Sequence, residues 1–154
     1  TADYGVMYPM QTFSKARPVD FSVIPFFLEA NTPENAGKLL QIAGALSGNV
    51  RFLSSDKRKS LHLAAVFACN FTNHIYALAV KILQGQEIPA DVLLPLIDET
   101  AAKVHTMTPA EAQTGPAIRY DENVINKHLA MLDDPDMRSV YQLISQSIHK
   151  EAQI

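Results

Sequence analysis

"DKRKSLHLAAVFACNFTNHIYALAVKILQ", residues 56–84, holds the key to the architecture. After its charged opening, no acidic or basic side chain other than histidine interrupts it from Leu61 to Val80. That is about the length of a bilayer span. His62, Asn70, Thr72, Asn73 and His74 fall inside it, however, and so many polar side chains are expensive in hydrocarbon. The stretch therefore reads as a fully buried helix of a soluble protein, stopping near Gly85, with "DKRKS" as its solvated entrance. At about 100° per residue, His62, Val66, Cys69, Asn73 and Tyr76 share one stripe, and Asn70, His74 and Ala77 form a second. Two accounts fit these polar interruptions. Buried amides and imidazoles can bond neighbouring backbone, at a cost of about 1–3 kcal/mol if they fail. Alternatively the helix lines a cleft, where asparagine amides orient a ligand's carbonyl or carboxylate.

Downstream of this helix the pattern is helical throughout. Pro89 opens a segment running to about His105, with Pro95 early enough to kink it or shift its start. "TPAE" at 108–111 is a capping box with proline at the first helical position. "DENVINKHLAML" (121–132) and "DPDMRSVYQLISQSIHKEA" (134–152) follow, capped by Asp121 and Asp134; the last places Met137, Val140, Tyr141, Ile144 and Ile148 on one face. Upstream, "GVMYPMQTF" (5–13), "SVIPFFLEA" (22–30) and "VRFLS" (50–54) read as strands. Between the last two, Thr32 caps a helix with Pro33 at its first position and a face of Leu39, Leu40, Ala43 and Leu46. The expectation is a mainly α chain: residues 55–154 all helical, preceded in residues 1–54 by the last strands and one helix of an incomplete α/β sheet. So few strands do not make a stable sheet alone. With Thr1 opening almost directly into a strand, the chain reads as cut from something larger.

The totals narrow the function. A chain of 154 residues can bury around 70% of its unfolded surface, so a sizeable core is expected. Lysines and arginines are scattered and the net charge is -3, which argues against nucleic acid. Cys69, the single cysteine, reads as a small buried hydrophobe; with no signal-peptide pattern, a reducing, cytoplasmic setting and no membrane are expected. No two of the six glycines are separated by one residue, so the dinucleotide Gly-x-Gly-x-x-Gly fingerprint and the P-loop are absent from this sequence. The five histidines form no metal-binding spacing, so no metal is expected, and no Gly-x-Ser-x-Gly elbow marks a hydrolase.

"AQTGPAIRYDENVINKHL" (112–129) has two readings of its own. Gly115-Pro116 can simply end one helix while Asp121 caps the next and Arg119 pairs with a nearby acid. Alternatively Thr114, the loop N–H groups and Arg119 form an anion-friendly lip at a helix start.

"YPMQTFS" (8–14), "FFLEA" (26–30), "RKSLHLAAVFACNFTNH" (58–74) and "QTGPAIRYDENVINKHL" (113–129) together resemble the C-terminal two-thirds of a family of NAD(P)-dependent oxidoreductase-like proteins. These pair a Rossmann-like domain with a helical C-terminal domain of unclassified function. Their plan is similar to pyrroline-5-carboxylate reductase and 6-phosphogluconate dehydrogenase. The likeness covers nearly the whole chain. Tyr8 stands where the family pattern has histidine, and Tyr120 where it has glycine; Thr114, Gly115, Pro116, Arg119, Asp121, His62 and Asn70 match family positions.

The resemblance implies that residues 1–54 are the end of a Rossmann-like nucleotide-binding domain, and residues 55–154 a substrate and dimerisation domain. The intact protein would use NADP or NAD to move hydride to or from a small carbonyl, imine or hydroxy substrate, and would form a homodimer. His62 and Asn70 are the catalytic candidates, His62 because an imidazole titrates nearest neutrality. Asn73, Thr114, Gly115, Pro116, Arg119 and Asp121 would bind substrate, and Gln11 the cofactor. The chain alone is expected to hold no cofactor and to be inactive. The competing expectation is a non-enzymatic helical self-association module. A lyase or hydrolase is disfavoured because no nucleophile and base come together in the pattern.

Overall fold

A computed structural model of the chain describes residues 2–153. Three strands, β1 (Gly5–Pro9), β2 (Phe26–Ala30) and β3 (Val50–Phe52), form one sheet in that order. β1 runs antiparallel to β2, with Tyr8 opposite Phe27 and Val6 opposite Glu29, and β3 runs parallel to β2. A parallel pair needs a crossover. Here it is α1 (Pro33–Leu46), started by Thr32, whose hydroxyl accepts the Asn35 N–H, and by Pro33 in its first turn. The β2–α1–β3 segment is thus a βαβ unit.

The strands are shorter than their apolar runs. Before β2, Asp20 caps a 3-10 turn at Phe21–Val23 by accepting the Ser22 N–H at 2.9 Å, so pairing begins only at Phe26. Alternation then sorts β2: Phe26 and Leu28 are fully buried, together with Ile24 just before the strand and Ala43 of α1, and Val19, Leu39 and Val50 pack around them. Ser47 closes the crossover. It is buried, donating to the Ile24 carbonyl at 2.6 Å and accepting the Asn49 N–H at 3.1 Å.

The long helix spans Ser55–Gln84, as its periodicity predicts, but it is not uniform. α2 (Ser55–Ala65) gives way to a π turn at Val66–Phe71 before α3 (Thr72–Gln84) resumes. A π turn takes in one extra residue, so faces beyond it rotate by about 100° relative to an unbroken helix. This corrects the stripe arithmetic. On the shifted count, Asn70 and His74, not Cys69 and Asn73, continue the line of His62 and Val66. The Thr72 hydroxyl donates to the Phe67 carbonyl at 3.0 Å, one residue further back than the usual helical reach.

Burial is a second correction. No residue of this helix is buried within the chain; Leu63, Phe67 and Phe71 are 60%, 62% and 51% exposed, and Cys69 is half-buried. The helix is long and apolar enough, by length and composition, to cross a membrane. The expected sizeable core is likewise small. The wholly buried apolar side chains are Ile24, Phe26, Leu28 and Ala43, with Ala117, Ile125, Leu129 and Met137 nearly so.

Two compact units divide the chain, Thr1–Tyr76 and Ala77–Ile154, the border falling inside the long helix. Beyond Gln84, a 3-10 turn at Ala90–Leu93 leads into α4 (Leu94–Lys103), whose first turn holds Pro95 and so begins later than Pro89. α5 (Pro109–Ala112) has the full capping box of Thr108 and Glu111. α6 (Glu122–Ala130) and α7 (Pro135–Glu151) are capped by Asp121 and Asp134, and these two helices touch. On α7, Met137 is buried and Val140, Tyr141 and Ile148 half-buried, whereas Ile144 is exposed.

Candidate functional site

Cross-strand partners in an antiparallel pair share a face of the sheet. Tyr8 and Phe27 therefore lie on the face opposite the buried Phe26 and Leu28, as do Val6 and Glu29. α2 meets this second face through two polar links. Near its start, Glu29 accepts from the Ser55 hydroxyl at 2.6 Å and from the Arg58 guanidinium at 2.8 Å. Arg58 is thereby largely covered, its side chain 16% exposed, and is not the solvated charge that "DKRKS" suggests. The Ser55 hydroxyl and the Arg58 guanidinium hold the Glu29 carboxyl below its ordinary value.

The second link is chemical in character. The Tyr8 hydroxyl lies 3.3 Å from Nδ1 of His62. Tyr8 is half-buried and His62 exposed, so the pair sits at a surface that a small molecule can reach. His62 thus gains a partner that its own helix does not supply.

β1 ends at Pro9, and the chain passes directly to Gln11. This exposed side chain accepts the Thr12 N–H at 2.8 Å and lines a cavity of about 410 Å³ with Thr12, Phe13, Ser14, Arg17 and Asp20. Hydroxyls, an amide and a guanidinium suit the amide and ribose end of a nucleotide. A pyrophosphate cradle does not fit this chain, because it has no closely spaced glycine pair.

Asn70 and Asn73 are exposed, and no hydrogen bond ties either amide to the described residues. The account in which they satisfy buried backbone falls away. At 1.5 Å per residue, Asn70 stands roughly 12 Å along the helix from His62, too far for both to touch one reacting atom.

In the second unit, the 113–121 loop is shaped by its backbone. Gly115 has φ 102°, the Asp121 N–H donates to the Pro116 carbonyl at 3.0 Å, and the Tyr120 N–H to that of Ala117 at 3.1 Å. The Asp121 carboxylate accepts the Val124 N–H at 3.2 Å, which is its capping role. Arg119 does not pair with it: the guanidinium is exposed and joins no ion pair among the described residues. Thr114 is exposed too, and its carbonyl accepts from the Gln113 amide. Tyr120 has φ 49°, where a bulky residue is strained, and its ring rests 4.7 Å from that of His149. A glycine at this position, as in the resembled pattern, has no such strain.

Sequence reading missed a second tyrosine–histidine pair. His128 Nδ1 and the Tyr141 hydroxyl are 2.8 Å apart, bordering a cavity of about 450 Å³ floored by Ile82, Met131 and Met137. At its edge Lys81 and Asp134 pair at 2.6 Å; that bond and the α7 N-terminal N–H groups hold the Asp134 carboxyl low. Among the described residues, no three His, Cys, Asp or Glu side chains converge as for a metal.

These features define a class: a mostly helical chain that carries a βαβ-containing three-stranded sheet, with an exposed Tyr–His pair where sheet meets helix. The chain belongs to the family of the domain of unknown function DUF2520, whose pattern matches residues 24–148. It is 63% identical to a Bacteroides fragilis protein whose crystal structure is named that of a "putative NADP oxidoreductase"; the TM-score is 0.94 over 97% of this chain and 58% of that one. A Thermotoga maritima protein shares the fold at 24% identity, with a TM-score of 0.76 over 97% of this chain and 61% of that one. The chain therefore spans about three-fifths of these relatives' length. No curated protein matches it.

Proposed function

We propose that the chain is the C-terminal portion of an NADP-dependent oxidoreductase acting on a small carbonyl, imine or hydroxy compound. The observation that supports this best is its 63% identity, over 97% of its length, to the Bacteroides fragilis protein. In this reading residues 1–54 complete a Rossmann-like domain, and residues 55–154 form the helical substrate and dimerisation domain, in a plan like that of 6-phosphogluconate dehydrogenase. The pyrophosphate cradle belongs to the part of the relatives that this chain does not span. Bound nicotinamide supplies or accepts the hydride. Gln11 meets its amide or ribose, His62 serves proton transfer, and Asn70 and Asn73 orient the more distant end of the substrate. Thr114, the Gly115-Pro116 turn and Arg119 bind an anionic group, with Asp121 fixing the loop. The protein works in the cytoplasm as a homodimer.

The test is NADPH oxidation by the protein as its source cell makes it, against a panel of small keto acids, aldehydes and cyclic imines. Turnover with at least one is expected, and Arg119→Ala should raise KM about tenfold for an anionic substrate while leaving the melting temperature unchanged. Absence of both NADPH binding and turnover would sink the reading.

A second reading, a non-enzymatic self-association module, draws on the exposed apolar side chains Leu63, Phe67 and Phe71. Under it, Asn70→Ala and Arg119→Ala change stability or association and nothing in turnover.

A further inference from the structure

We propose that Tyr8, not His62, is the group that hands the proton to the substrate, with His62 replenishing it. The inference rests on the oxidoreductase reading. Three observations carry it. Tyr8 is placed by the sheet register, opposite Phe27 on the face that receives α2, so its hydroxyl position is set by backbone pairing and not by a loop. That hydroxyl lies 3.3 Å from His62 Nδ1. Nδ1 is thereby engaged, whereas among the described residues Nε2 of the exposed ring makes no hydrogen bond and faces water. A further histidine–tyrosine pair, at 2.8 Å between His128 and Tyr141, belongs to the other unit.

The proton balance is simple. As a hydride from reduced nicotinamide reaches the carbonyl or imine carbon, the substrate's oxygen or nitrogen takes the Tyr8 phenolic proton. Nδ1–H of His62 passes its proton to the phenolate while Nε2 takes one from water, and tautomer exchange through water then restores Nδ1–H. The sum is substrate plus reduced nicotinamide plus one proton, giving reduced substrate and oxidised nicotinamide. Tyr8 is the catalytic residue here and His62 its positioning and supply partner. A phenol is a neutral donor at ordinary pH and an imidazole the natural shuttle.

Two measurements on the protein as its source cell makes it test this. Imidazole nitrogen NMR needs neither cofactor nor substrate: Tyr8→Phe should shift the Nδ1 resonance of His62 and leave the other histidines in place. An unmoved His62 resonance overturns the dyad whatever the enzyme does. In NADPH-dependent reduction, Tyr8→Phe should lower kcat about 10²–10⁴-fold with little change in KM for NADPH. Tyr8→His should restore part of that loss, and His62→Gln should change the shape of the pH profile of kcat. Undiminished kcat in Tyr8→Phe overturns the assignment. Failure of the oxidoreductase reading is distinguishable: the NMR coupling persists while even the unaltered protein oxidises no NADPH, and the proposal then falls with that reading.

Discussion

Tyr120 shows how a single residue can carry a local conflict. Its φ of 49° costs a bulky side chain about 1–2 kcal/mol, and the His149 ring 4.7 Å away offsets part of that. His149→Ala should therefore destabilise the protein, and a double-mutant cycle with Tyr120→Gly should show a coupling of about 0.5–1.5 kcal/mol by chemical denaturation. Additive effects would separate the two rings. The pattern of the loop was legible in its Gly-Pro and Asp121, but not the stacking. Nothing in sequence spacing brings residue 149 to residue 120. The same limit hid Tyr8–His62: both residues stood out singly, and only strand register and the docking of α2 join them.

Glu29 gives a residue-scale pH dependence. Its carboxyl is held below the ordinary value by the Ser55 hydroxyl and the Arg58 guanidinium, so the ionised form is favoured in the fold. The stability it contributes is complete above the unfolded-state value of about 4.3 and is lost as pH falls through the lower folded value. Melting curves of Glu29→Gln should lie below those of the unaltered chain at neutral pH and converge with them in acid. Parallel curves at all pH values would contradict this.

At the scale of elements, caps and crossover were readable because they obey local rules. Thr32, Thr108, Asp121 and Asp134 each accept the backbone N–H groups expected of a cap. Asp121→Ala should cost about 1 kcal/mol, whereas Arg119→Ala, at an exposed residue in no ion pair among the described residues, should stay within about 0.5 kcal/mol. Equal losses would mean that Arg119 is structural. Gly5 is a packing matter: a Cβ there would meet Leu39 Cδ1 at 2.5 Å and the Glu29 carbonyl oxygen at 2.8 Å. Gly5→Ala should loosen β1 and lower the melting temperature. The π turn at Val66–Phe71 was not legible, since "VFACNF" contains no residue that forbids an α-helix. It changes which polar residues align with His62, and that is why periodicity alone misassigned the stripe.

At the scale of the whole molecule, the sequence promised a larger core than the chain possesses. An apolar run of such length reads as buried because composition cannot say what covers it. Leu63, Phe67 and Phe71 are left open instead, and in the proposed homodimer a second copy of the chain would cover them. Phe67→Asp with Phe71→Asp should shift sedimentation towards the monomer. Unchanged association would move the contact elsewhere.

In the proposed function, this chain serves a nicotinamide enzyme without itself holding the nucleotide. Calorimetric titration with NADPH, of the 154-residue chain and of the protein as its source cell makes it, tests that most directly. Micromolar binding by the cellular form and none by the chain alone is the expected result. Tight binding by the chain itself, or none by either, would contradict it.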